Sequence, residues 1–128
     1  MSINTIENMV NWIEDNITSN PTLAEMSDYV GYSPFYCSTK FRENIGITFK
    51  KYISKRRLSL AALDVKNTQE RFLDIAVKYG FSSQEAFTRA FSSAYGCTPC
   101  KFRNQGIAIN LYMKPDILPV PKDDSFTF

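Results

Sequence analysis

The chain has 128 residues, of which 44% are hydrophobic and 14% aromatic, so it can form a packed core in one domain or two very small ones and is not disordered over most of its length. No apolar run approaches the roughly 18 residues of a membrane span, and the acidic, amphipathic N-terminus does not fit a secretory signal. Three cysteines without a disulfide framework suit a reducing compartment, so we expect a cytoplasmic protein.

The formal net charge of +2 conceals a strong asymmetry along the chain. Residues 1–37 contain five acidic residues and no lysine or arginine, whereas residues 38–103 contain 13 basic and five acidic residues. A basic block folded beside an acidic one indicates a polyanionic partner that approaches from one side. Charge alone leaves open the alternative that the lysines only solvate helix surfaces.

Capping residues and glycines divide the chain into seven predicted helices, with no strand signal before the C-terminal tail, so the predicted fold class is all-α. The first helix begins at Asn4, which forms a capping pair with Glu7, and the second runs from the cap Thr22 to Gly31. The others are predicted from Ser33 and Pro34 through Phe41 to near Gly46, from Thr48 to Asn67, from Arg71 to Tyr79, from the cap Ser83 to Tyr95, and from Thr98 and Pro99 to Arg103.

The second half of the chain repeats the first at an offset of 49 to 50 residues. In each copy a small residue, Ser27 or Ala76, lies four positions before the turn glycine, Gly31 or Gly80, which is the spacing of a helix-turn-helix. The matched positions after the turn are Ser33, Phe41, Gly46, Thr48 and Tyr52 in the first copy and Ser83, Phe91, Gly96, Thr98 and Phe102 in the second. We therefore predict a first helix-turn-helix subdomain over 1–47, a linker helix over 48–67, a second subdomain over 68–104 and a tail over 105–128.

The second helix of the second copy carries Gln84, Glu85, Thr88 and Arg89 on its polar side. In a helix-turn-helix this helix enters the major groove of double-stranded DNA, where Arg can pair with guanine, Gln with adenine and Glu with cytosine. The four residues are therefore candidates for contacts with base edges. A purely solvated surface is the alternative, but it would favour Lys and Glu over Gln, Thr and Arg.

The corresponding helix of the first copy has a weaker polar face, formed by Phe35, Tyr36, Ser38 and Thr39. The two aromatic residues suit thymine methyl groups or sugar edges, although Tyr36 fits a core position equally well. We expect this copy to supply affinity and register, and the second copy to supply more of the sequence choice. The candidate phosphate contacts are Lys40, Arg42, Lys50, Lys51, Arg57, Ser83, Lys101 and Arg103.

The predicted linker helix spaces the two copies. About 19 residues at about 1.5 Å each span about 28 Å, close to the ~34 Å between successive major-groove segments on one side of B-DNA. One chain can therefore bind both segments as a monomer.

Two long stretches resemble the DNA-binding domain of AraC/XylS-type transcription regulators. They are "YVGYSPFYCSTKFRENIGITFKKYISKRRLSLAALDV" and "FLDIAVKYGFSSQEAFTRAFSSAYGCTPCKFR". The second carries the family signature at Ile75, Ala76, Gly80, Phe81, Ser83, Phe87, Arg89, Phe91, Gly96, Thr98, Pro99, Phe102 and Arg103. "NWIEDNI" and "SSQEAFTR" resemble the stand-alone MarA/SoxS/Rob-like branch.

The resemblance implies a seven-helix monomer that binds promoters through two helix-turn-helix units, usually activates transcription and contacts RNA polymerase. It places Phe35, Ser38 and Thr39 on the family's first recognition helix and the four candidate base contacts of the second copy on the second. Close relatives carry Trp and Arg at the positions of Phe35 and Thr39, and the family often has Lys at the position of Ser92. Fewer cationic anchors imply a gentler dependence of binding on salt.

Other signals do not point to chemistry at a catalytic site. Cys97 and Cys100 resemble a redox or zinc pair, but a structural zinc site needs four ligands and the chain has one other cysteine and no histidine. We therefore predict no metal, no cofactor and no enzymatic activity.

The tail leaves several interpretations open. Apolar residues alternate at Ile107, Ile109, Leu111 and Met113, a strand-like pattern. The segment is either an edge packed on the last helix, a frayed end, or the beginning of an effector-binding domain. The alternative functions are a helical protein–protein adaptor and the DNA-binding part of an effector-responsive regulator.

Overall fold

The computed structural model describes residues 3–116, and this part of the chain contains seven α-helices and no strand. The all-α prediction is confirmed. The helices are α1 (Ile3–Asp15), α2 (Leu23–Val30), α3 (Pro34–Ile45), α4 (Phe49–Asn67), α5 (Phe72–Lys78), α6 (Gln84–Tyr95) and α7 (Pro99–Gln105). None of them is long and apolar enough to cross a bilayer.

The helix ends follow the capping signals with three exceptions. The structure begins α1 at Ile3, so Asn4 lies inside the helix instead of capping it. In α5 the predicted terminal residues Arg71 and Tyr79 are the flanking caps. The last helix continues beyond Arg103 to Gln105, because the left-handed glycine that ends it is Gly106.

The two helix-turn-helix units, α2–α3 and α5–α6, begin their turns in the same way, although the turn of the second unit is longer. Gly31 and Gly80 lie in the left-handed region, with φ of 84° and 82°, a conformation that side chains disfavour. In both turns the next residue donates its N–H back to the small residue of the preceding helix: Tyr32 to the Ser27 carbonyl at 3.3 Å, and Phe81 to the Ala76 carbonyl at 2.9 Å.

Each unit has its own hydrophobic cluster, and α4 joins the two. The first cluster combines α1 to α3 with the start of α4. The second combines the end of α4 with α5 to α7. Leu60 packs against both clusters, so α4 is part of both hydrophobic cores and does more than connect the two units.

The segment after α7 is extended, but residues 106–116 form no strand, contrary to the strand-like pattern. Ile107, Ile109 and Leu111 pack against the second cluster, and Tyr112 packs against the first. The alternation therefore reflects one side of an extended segment lying on helices, without a neighbouring strand to pair with. Residues 117–128 of the predicted tail lie outside the described residues.

Candidate nucleic-acid interface

The outer face of α6 is polar and has no internal partners. Ser83 caps the helix, its Oγ accepting the Ala86 N–H at 3.0 Å, which orients the first turn outward. Gln84, Glu85, Thr88 and Arg89 line one surface cleft. None of these four side chains has a hydrogen-bond or ion-pair partner among the described residues. The structure therefore brings together the predicted base contacts of the second copy.

The opposite face of α6 fixes the helix to the core. Phe87 and Phe91 are fully buried, and their ring centroids lie 5.8 Å apart in an edge-to-face arrangement. Phe91 also packs against Tyr95 and Phe102, at 4.8 and 5.7 Å. Aromatic packing on one side thus holds the polar side at the surface.

The outer face of α3 is different in character. Phe35 is 82% exposed, whereas Tyr36 is half-buried and packs against Tyr32 with 5.2 Å between ring centroids. The Lys40 ammonium lies 5.6 Å from the Tyr36 ring centre. Of the two aromatic candidates, Phe35 is the one open to a ligand, and Tyr36 belongs to a packed aromatic pair.

The polar residues of α3 lie on the same cleft as a cation. Ser38 and Thr39 share this cleft with Arg42 and with Gly46 and Thr48, at the junction of α3 and α4. Arg42 is exposed and has no side-chain partner among the described residues, whereas Lys40 pairs with Glu43 at 3.2 Å. Arg42 is therefore the better placed of the two predicted phosphate contacts on this helix.

Both recognition helices, α3 and α6, flank the same side of α4. One groove joins Ser38 of α3 to Lys50, Ser54 and Arg57 of α4. A second groove joins Ala90 of α6 to Lys51, Ser54, Lys55 and Leu58 of α4. Since Ser54 lines both grooves, α3 and α6 lie on either side of one exposed stretch of α4.

Three of the predicted phosphate contacts are exposed lysines at helix starts. Lys50 and Lys51 lie in the first turn of α4 and Lys101 in the first turn of α7, and none has a side-chain partner among residues 3–116. Main-chain N–H groups at a helix start favour an anion there. These three lysines, with the main-chain N–H groups after Ser83, remain candidates for phosphate contacts.

Two other predicted phosphate contacts are engaged within the chain. Arg57 donates from Nε to the Ile17 carbonyl at 3.0 Å and from Nη2 to the Asn20 side chain at 3.2 Å. Arg103 donates to the carbonyls of Val65 and Glu70, both at 2.8 Å, and its guanidinium lies over the Phe72 ring. These contacts do not support a phosphate role for either arginine.

The sequence analysis missed a buried charge cluster behind this surface. Arg56 donates to both carboxylate oxygens of Glu14, at 2.9 and 2.7 Å, and Tyr52 donates its hydroxyl to the same carboxylate at 2.9 Å. Burial raises the pKa of Glu14, but the hydrogen bonds from Arg56 and Tyr52 bring it below its ordinary value of 4.5. Only the helical position of Arg56 in "KRR", on the side of the apolar Tyr52, signals its burial.

The cysteines do not form a ligand cluster in the described part of the chain. Cys37 is buried, Cys97 is half-buried and Cys100 is exposed. Within residues 3–116 no three His, Cys, Asp or Glu side chains converge in a way that would hold a metal ion.

Comparison with known proteins identifies the family of this surface. Residues 26–105, which run from within α2 to the end of α7, match the helix-turn-helix domain family that contains the AraC-type regulators. The chain belongs to this family. Its relatives are DNA-binding transcription regulators, as the sequence signature indicated.

Three relatives match over most of their own length. The chain is 37% identical to the probable transcription factor PqrA of Proteus vulgaris, covering 83% of this chain and 88% of PqrA. It is 31% identical to the HTH-type transcriptional activator AarP of Providencia stuartii, covering 88% and 84%. It is 34% identical to the multiple antibiotic resistance protein MarA of Escherichia coli, covering 77% and 78%.

A solved structure has the same arrangement of helices. The C-terminal domain of the two-component response regulator yesN from Fusobacterium nucleatum superposes with a TM-score of 0.69 at 32% identity. The match covers 79% of this chain and 99% of that domain.

Proposed function

We propose that the protein is a transcription activator that binds one asymmetric DNA site as a monomer, with α3 and α6 in adjacent major-groove segments. The observation that carries this proposal is the position of the two recognition helices on either side of Ser54, on one side of α4. A duplex that approaches this side meets both helices at once. The two-subdomain organisation, with 48–67 as the linker, is part of the same proposal.

In this proposal α6 selects the sequence. Arg89 and Gln84 contact purines, because their forked groups match guanine and adenine edges, and Glu85 and Thr88 contact neighbouring bases. The absence of internal partners for these side chains in the described structure supports the assignment, since no existing contact must break on binding.

The first unit contributes affinity and register. Phe35 offers an apolar surface to a thymine methyl group or a sugar, and Ser38 and Thr39 offer short hydroxyl contacts. Arg42, Lys50, Lys51 and Lys101 bind phosphates, together with the helix start at Ser83. These contacts add affinity that falls as salt rises.

The function as an activator is inferred from relatives such as AarP, whose name describes an activator. We infer contact with RNA polymerase on the same ground, together with a cytoplasmic location and no enzymatic role. No cofactor or metal is invoked in this proposal, because the contacts described above suffice for DNA binding.

Selection from a pool of random duplexes tests the proposal. The expected result is enrichment of one bipartite motif, bound by one chain per duplex and weakened by rising salt. Arg89→Ala should relax the choice at one base position, while the matched variant Ser93→Ala, exposed on the same helix but outside the cleft, should select the original motif. Failure to enrich any motif at any salt concentration would reject the proposal.

An adaptor function is the second candidate, favoured by one observation. Tyr29 is 62% exposed and lies beside Trp12 and the exposed Asp28. All three lie within residues 1–37, which contain no lysine or arginine. If duplex selection fails and a basic protein surface binds this patch, the adaptor function replaces the DNA-binding one.

A further inference from the structure

The segment after α7 connects the two hydrophobic clusters directly. Ile107, Ile109 and Leu111 contact the second cluster, and Tyr112, the next residue, contacts the first. The Tyr112 ring packs edge-on against Tyr52, with 5.8 Å between centroids, and the Lys55 ammonium lies 5.5 Å from its centre. The segment therefore crosses the boundary between the two units.

Main-chain hydrogen bonds anchor this segment to α4. The Tyr112 N–H donates to Ser59 Oγ at 2.7 Å, and its carbonyl accepts from Arg56 Nη1 at 2.7 Å. Ser59 and Arg56 are 1% and 7% exposed, so both bonds are shielded from water. Shielded bonds of this kind, one of them to a charged donor, are stronger than solvated ones.

The same arginine also holds the first unit. Arg56 uses Nε and Nη2 for Glu14 of α1, leaving Nη1 for the tail. One guanidinium thus joins α1, α4 and the C-terminal segment. Because Ser54 and Arg56 are about 200° apart around a helix of 3.6 residues per turn, these contacts lie on the side of α4 opposite the proposed DNA-facing grooves.

The adjacent Arg57 makes a second connection between the units. Its guanidinium bonds to Ile17 and Asn20, in the connection between α1 and α2. The same group lies against the turn of the second unit, so closely that a Cβ at Gly80 would be 3.1 Å from Nη1. Arg57 therefore spans from the first unit to the helix-turn-helix turn of the second.

We propose that Arg57, Arg56 and residues 107–112 form an interunit brace that fixes the distance and orientation of α3 relative to α6, and so makes the protein selective for the spacing of its two half-sites. This role rests on the proposed function, in which both helices bind one duplex. Once one recognition helix is bound, the brace holds the other in register with its half-site. The second contact then forms at a high effective concentration and costs little conformational entropy. Without the brace, each unit keeps its own recognition surface, but the two no longer match one spacing.

The test compares the full chain with a chain that ends at Gly106, on duplexes that carry the selected motif. One duplex has both half-sites at the selected spacing, others have one or two base pairs inserted or removed, and one has the second half-site alone. We expect the shortened chain to bind the isolated half-site within about twofold of the full chain. On the complete site it should bind about tenfold or more weakly, with a flatter dependence on spacing.

Two controls separate the brace from general destabilisation. A chain that ends at Asp116 retains every contact that Tyr112 makes within residues 3–116 and should behave as the full chain. Met113→Ala should do the same, since Met113 is 67% exposed. If the chain that ends at Gly106 does not fold by circular dichroism, Arg57→Ala in the full chain decides, with the same expected loss of spacing preference. Arg57 hydrogen-bonds to none of the proposed base-contact residues, but it lines the same groove as Ser38. Affinity for the first half-site alone is therefore measured as well, and a brace role requires that Arg57→Ala leave it within about twofold of the full chain.

The outcomes that overturn the brace differ from those that overturn the proposed function. If the full chain binds the bipartite site, but neither the shortened chain nor Arg57→Ala alters the ratio of complete-site to half-site affinity or the preferred spacing, the brace is rejected and the proposed function stands. If the full chain selects no duplex, both are rejected.

Discussion

In both helix-turn-helix units a serine caps the second helix, a left-handed glycine ends it, and a threonine caps the helix that follows. The outward side chains of these two helices nevertheless differ. In α6 they are Gln84, Glu85, Thr88 and Arg89, whereas α3 presents the exposed Phe35 and the short hydroxyls of Ser38 and Thr39. Caps, turns and buried faces are constrained by folding, whereas the outward positions are free to diverge, so one backbone frame supports two modes of contact.

The buried faces of the two units should respond alike to truncation. Phe91→Ala and Phe41→Ala each remove a fully buried ring, and each should lower the free energy of unfolding by about 3–5 kcal/mol. Within that range the loss should be slightly larger for Phe91, which contacts the rings of Phe87, Tyr95 and Phe102, because Phe41 contacts only two rings in the described structure, those of Phe49 and Tyr52. Urea denaturation measures both. Phe35→Ala is the control, expected within about 0.5 kcal/mol of the parent because its ring is at the surface.

The outward faces should respond differently. Arg89→Ala should lose about 1–3 kcal/mol of discrimination at one base position. Its counterpart Thr39→Ala should lose less, about 1 kcal/mol or below, because a hydroxyl makes a single weak contact. Binding to duplexes substituted at each position measures both effects. Equal losses on every sequence would make Arg89 a phosphate contact and remove the proposed difference between the units.

Phosphate contacts should be shared between the units. Lys51 and Lys101 occupy equivalent positions, one in each copy of the repeat. Substitution of either lysine by Ala should reduce the slope of log affinity against log salt by about 0.9. Lys66→Ala is the matched control, exposed near the end of α4 and outside both grooves. If Lys51→Ala or Lys101→Ala leaves the salt slope unchanged, the corresponding helix start does not contact the DNA phosphates.

Acid stability should depend on the first unit through Glu14. Its pKa is lowered in the folded chain, so the charged form stabilises the protein above pH 4.5, and this contribution is lost as the pH falls from 4.5 through the lowered value. Glu14→Gln should therefore flatten the loss of stability over that range, as measured by urea denaturation at a series of pH values. Asp74→Asn, which removes the carboxylate of an exposed pair with Arg71, is the control for the loss of a surface ion pair.

Local signals predicted most of the fold. Glycines that require a left-handed turn, serine and threonine caps, and apolar spacing each act within a few residues, so α2, α3, α4 and α6 were expected with nearly the observed ends. The repeat then predicted which residues of α3 and α6 face outward, because equivalent positions in the two units have the same orientation.

Contacts between residues far apart in the sequence could not be predicted from such local signals. The helical position of Arg56 signals its burial, but no local feature of "KRR" identifies the partners of its arginines: Arg56 binds Glu14 across 42 residues and Arg57 binds Ile17 across 40. The alternation at Ile107 and Ile109 left the structure of the tail open, because a period of two indicates that one side of a segment is covered but does not identify what covers it. The internal hydrogen bonds of Arg103 could not be predicted for a similar reason, since its partners are the carbonyls of Val65 and Glu70, which any residue supplies.

The central claim is that one chain places α3 and α6 against one side of a duplex, and chemical footprinting of the selected site tests it most directly. Hydroxyl-radical cleavage and guanine methylation should show two protected major-groove segments about 10 base pairs apart on the same side, at one chain per duplex. Protection of a single segment, or of two segments only when two chains are bound, would contradict the account.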